Sequence, residues 1–164
     1  MELDRKVRTV SRSINVVYYT IYLLTILAVV VIFFLTFSDV QVKRIDPLSK
    51  LGTGISTAYL IFLLISIPAS LYLFHRYTQK LKVEPDEYVK LNKYKKAAYI
   101  RLWVIGLGLI VGVILVYVLH SRSMIFTAAI AAIALYFCKP SGLKIIKELD
   151  LDAEEDKIAG TKYL

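Results

Sequence analysis

Residues 14–37 run for 24 positions without one charged side chain, and apolar stretches follow at about 54–74, 97–119 and 124–138. A helix rises about 1.5 Å per residue, so the first stretch reaches about 36 Å. That crosses the roughly 30 Å of hydrocarbon in a bilayer with some tilt. Hydrophobic residues make up 57% of the 164, against roughly 45 to 50% in soluble domains. Lipid tolerates the surplus, because a helix satisfies its own backbone groups there. The expected fold class is an all-α integral membrane protein with four transmembrane helices. Only His120, Ser121, Arg122 and Ser123 separate spans three and four, which predicts a tight antiparallel hairpin.

Arg5, Lys6, Arg8 and Arg12 precede the first stretch as the basic segment of a secretory signal would. The stretch is too long for a signal's apolar region of about 7 to 15 residues, and no small-x-small cleavage site follows, so a retained span is expected. Lys and Arg number 17 in residues 1–13, 75–101 and 139–164 together, against 4 in the other two connections. This bias predicts a multi-pass protein with both termini and the 75–96 connection in the cytoplasm, the membrane being the plasma (inner) membrane if the cell is prokaryotic. The same asymmetry accounts for the net charge of +8. Cations flanking spans set orientation and meet anionic headgroups, and without aromatic stacking signatures in a soluble segment no nucleic-acid partner is expected. Lys90, Lys93, Lys95 and Lys96 are the candidate headgroup contacts.

Within the spans, Asn15, Tyr18, Tyr19, Tyr22 and Thr25 recur at helical spacing as a polar-aromatic stripe. Pro68 in span two predicts a kink near Leu64, with Ser66 and Ser70 placed to bond the freed backbone groups. Antiparallel spans one and two would bring Asn15, Tyr18 and Tyr22 to the depth of Ser66, Pro68 and Ser70. These six could line a small polar pocket or hydrogen-bond across a packed interface. Span three carries Gly106, Gly108 and Gly112, and the Gly-x-x-x-Gly at 108 and 112 permits close helix approach. Span four is short, and its alanines, Ala128 and Ala132 among them, are the expected partners of those glycines. Pro85, Asp86 and Glu87 mark a helix start, after which Tyr88, Leu91, Tyr94 and Ala98 share a face. The tail, residues 139–164, begins amphipathic at Leu143, Ile146 and Leu149. Its acids Asp150, Asp152, Glu154, Glu155 and Asp156 could pair with the basic connection.

Chemistry is sparse. With Arg101 counted to the connection, the span interiors hold no Asp, Glu, His, Lys or Arg of the kind that transporters and membrane enzymes place there. His75 and His120 fall at opposite ends of spans, and no serine has a neighbouring base and acid. Glu84, Asp86 and Glu87 read more simply as helix-start acids than as an acid pair. A lone Cys138 forms no disulfide within the chain; its place beside Lys139 and Pro140 would suit S-acylation, or simply a small apolar helix end. The expectation is a non-enzymatic protein without cofactor or metal, an accessory or assembly component acting as a homo-oligomer or with another membrane protein. The alternative is a small oligomeric carrier or channel for a polar or amphipathic solute.

Overall fold

The structure, a computed structural model, describes residues 2–38 and 45–151, apart from the side chains of residues 2–4 and of Arg122. Five helices follow in order: α1 (Glu2–Phe37), α2 (Lys50–Leu81), α3 (Glu87–Leu119), α4 (Arg122–Phe137) and α5 (Gly142–Leu149). No strand occurs among the described residues. Within them α1, α2 and α3 are long and apolar enough to cross a membrane. α4 meets that test only jointly with α5, from which it is bent by 74°.

The caps follow the local chemistry. The Asp46-Pro47 step turns the chain, with Leu48 N donating to Asp46 Oδ1 at 2.9 Å. Ser49 then caps α2, accepting from Gly52 N at 3.0 Å and so satisfying an orphan donor of the first turn. Asp86 does the same for α3, accepting from Tyr88 N and Val89 N at 2.8 and 3.3 Å. His120 ends α3 in the left-handed region at φ 48.

α3 is the axis. α1, α2 and α4 each pack along it, whereas α1 and α2 scarcely meet. In its most apolar window 44% of residues are buried, against 6% in α1 and 17% in α2. The reason lies in its glycines, which offer close approach on more than one side. A Cβ on Gly106 would fall 2.7 Å from Ile21 of α1, and one on Gly108 3.0 Å from Leu63 of α2. One on Gly112 would strike the Tyr59 hydroxyl of α2 and come within 3.3 Å of Ala128. The expected match of glycines to span-four alanines holds in part: α3 and α4 pack together and Gly112 meets Ala128. Gly106 and Gly108 instead face Ile21 and Leu63 most closely, Ala132 is half-buried at the edge of the core, and the Gly-x-x-x-Gly seats Tyr59, whose hydroxyl donates to Gly108 O at 2.9 Å.

α1 buries Val7, Ser11, Ile14, Tyr18 and Ile21, alternating steps of four and three that define a left-handed helix seam. Ser13 and Tyr99 tie this seam to α3 through a hydroxyl pair at 2.5 Å. α2 continues as helix through Pro68. Ser70 donates to Ile67 O at 2.8 Å rather than to the Leu64 carbonyl, and Ser66 Oγ has no partner. The amphipathic α5 turns Ile145 and Leu149 inward against α1 and α2. Asp39, Lys43 and Arg44, and the acidic residues Asp152, Glu154, Glu155 and Asp156, lie outside the described residues.

Candidate functional site: a cleft between α2 and α3

Between α2 and α3, toward the end of the bundle that carries the N-terminus, lies a cleft of about 630 Å³. That volume lies within the range of small-molecule sites. Its apolar wall comes from Ala69, Leu73, Phe74, Tyr77, Ala97, Ile100 and Val104, and its polar groups are Ser66, Ser70, Lys93, Lys96 and Arg101. Positions 93, 97, 100, 101 and 104 recur at steps of three and four, one face of α3.

Arg101 is the centre of the site. Its side chain is 7% exposed, and its guanidinium lies 3.7 Å from the centroid of the Phe74 ring, a cation–π contact. Its Nε is buried without a hydrogen-bond partner. Phe74 in turn meets Tyr94 edge-on, with ring centroids 5.3 Å apart. The Tyr94 hydroxyl donates to Glu148 Oε2 at 2.6 Å, carrying the chain of contacts from the cleft to α5. At the mouth, Lys93 Nζ bonds Glu84 Oε2 at 2.7 Å. Accepting that bond, the carboxylate holds the Lys93 ammonium above the ordinary lysine pKa. Lys96 is exposed.

The six residues expected to share a pocket are not brought together. α3 stands between α1 and α2, so Asn15, Tyr18 and Tyr22 lie away from Ser66, Pro68 and Ser70. Ser66 and Ser70 line the cleft, and Pro68 is exposed. Tyr18 is buried among its own neighbours, with ring centroids 5.4 Å from Tyr19 and 5.0 Å from Tyr22.

Of the four expected headgroup lysines, Lys90 is corrected. It is fully buried, because it falls on the face of α3 that also turns Leu91, Tyr94 and Ala98 inward. Lys95 sits 5.6 Å from the Tyr99 ring centroid, Lys96 is exposed, and Lys93 holds Glu84. Cys138 is wholly buried, which gives acylating chemistry no access to its thiol.

By its place in the sequence Arg101 falls to the connection before span three, yet it is buried in the fold. The signal available was spacing: Tyr94, Ala98, Arg101 and Ile105 continue one inward stripe. The site thus belongs to a protein that is all-helical among the described residues, with three helices, or four if α4 and α5 count as one span, suited to cross a membrane. No protein-family model matches the chain, and no curated protein or solved structure is significantly similar to it.

Proposed function

We propose that the chain is a non-enzymatic, four-span membrane protein that acts by assembling with a further transmembrane helix, of a second copy or of another protein. α3 and α4 form its last hairpin, and both termini face the cytoplasm. The observation that carries this is the unfinished seam of α1. Its stripe of 7, 11, 14, 18 and 21 continues in the same steps through Thr25, Ala28, Ile32 and Leu35. Yet the 16 residues 22–37 contain no buried side chain, and those four positions are only half-covered. A sustained seven-residue repeat is the pattern of a helix that packs along its whole length. The small Thr25 and Ala28 suit close approach in lipid, where packing rather than hydrophobic drive holds helices together.

Single cysteines at Ala28 and Leu35, crosslinked in native membranes, test it. Adducts larger than one chain are expected from both and not from Phe33→Cys, at similar depth on another face. Unlinked chain at all three positions contradicts assembly through this seam. The mass of the adduct separates a second copy from a different protein. A carrier reading has one observation in its favour, the cleft, but α3 occupies the axis of a single copy, so a solute path would run between copies.

A further inference from the structure

We propose that the cleft between α2 and α3 binds one anionic glycerophospholipid, its phosphate on Arg101 and an acyl chain along Ile100 and Val104. The proposal rests on the chain standing in a bilayer, and it is independent of assembly through α1.

Two buried side-chain atoms without a hydrogen-bond partner occur among the described residues, Arg101 Nε and Ser66 Oγ, and both belong to residues lining this cleft. Buried polar groups are nearly always satisfied, so two unpaired groups on residues that line one cleft point to an occupant that brings acceptors. Arg101 is more than nine-tenths buried, and among the described residues no carboxylate pairs with it. Such a cation requires a counter-charge or it opposes folding. Phe74 covers one face of the guanidinium. Stacking fixes the plane and leaves the edge, where the N–H donors lie, for a planar two-point contact with phosphate oxygens.

The rest of the cleft favours a lipid over a free anion. Ile100, Val104, Ala69 and Leu73 make its wall overwhelmingly apolar, a surface that inorganic phosphate does not use. Lys96 lies exposed at the mouth and adds positive charge. Ser66 stands farther along the cleft than Phe74 by about two helical turns, so one small anion does not satisfy both orphans. A glycerophospholipid carries phosphate oxygens and, toward its tails, ester carbonyls. Arg101 lies one turn past Ala97, where the apolar stretch of α3 begins, which is the depth of the boundary between headgroups and acyl chains.

The full chain, purified in mild detergent and offered phosphatidylglycerol or phosphatidylcholine, is examined by native mass spectrometry. One phosphatidylglycerol per chain should be retained over phosphatidylcholine, and Arg101→Gln should weaken retention roughly tenfold, the loss of about one charge-assisted hydrogen bond. Val104→Phe, which fills the apolar wall and leaves Arg101 intact, should weaken it as well, so the proposal stays testable should Arg101→Gln not fold. Sodium phosphate at the same concentration should not compete. Equal retention of the two lipids, or retention unchanged in the folded variants, would overturn the site. Displacement by phosphate alone would overturn the lipid as its occupant.

Discussion

Gly52 and Gly54 stand two residues apart at the start of α2, and only one has room for a methyl group. A Cβ on Gly52 would strike the Asp46 carbonyl and lie 2.9 Å from Pro47 Cα, both backbone, whereas nothing lies within 4 Å of one on Gly54. Gly52→Ala should therefore destabilise by about 1 to 3 kcal/mol, and Gly54→Ala should gain about 0.5 to 1 kcal/mol from helix propensity. Thermal unfolding of both in one detergent checks the opposite signs. Tyr59→Phe should cost about 0.5 to 1.5 kcal/mol by the same assay, since it deletes the bond to Gly108 O and leaves the packing. The close approach at these glycines is legible in the sequence as a spacing of small residues. Its partner is not, because a bare helix surface accepts a tyrosine or an alanine alike, and only the assembled fold decides. Arg101 escaped for another reason. It stands at the edge of an apolar run, where a cation is expected to reach for water, and only the inward stripe through Tyr94, Ala98 and Ile105 says otherwise.

The start of α3 was legible because it depends on neighbours in sequence: Asp86 caps it through groups two and three residues on, whereas α2 starts at Lys50, ahead of the apolar run, on a Ser49 cap that the run does not mark. The order of packing was not legible. The polar stripe of α1 and the serines of α2 share a depth in any up-and-down arrangement, yet the glycines of α3 admit both helices and hold them apart. α5 is the element with the fewest ties. It is 8 residues long, too short to persist alone, and it is held by Ile145, Leu149 and the bond between Tyr94 and Glu148. Tyr94→Phe should loosen it. Amide exchange across residues 142–149 should quicken roughly ten- to a hundredfold, reflecting loss of a charge-assisted bond of about 1.5 to 3 kcal/mol, while exchange in the α3–α4 contact stays as it was. Unchanged exchange in α5 would assign its docking to the apolar face alone.

At the scale of the molecule, the apolar stretches alone foretell long helices for lipid, because length and the absence of charge are properties of sequence. What they leave open is how the helices share α3, and how much of a bilayer α4, at 16 residues and about 24 Å, covers before the chain bends by 74° into α5. In the proposed topology the connection before α2 and the one before α3 lie on opposite sides of the bilayer. Leu48 and Val83 are the exposed markers of these two connections, at 90% and 84%, and the buried Cys138 leaves the background silent. Single-cysteine labelling at Leu48 and Val83 with a membrane-impermeant maleimide is the most direct test. In intact cells the label should reach Leu48→Cys and spare Val83→Cys until the membrane is opened; labelling of both from the same side would contradict the account.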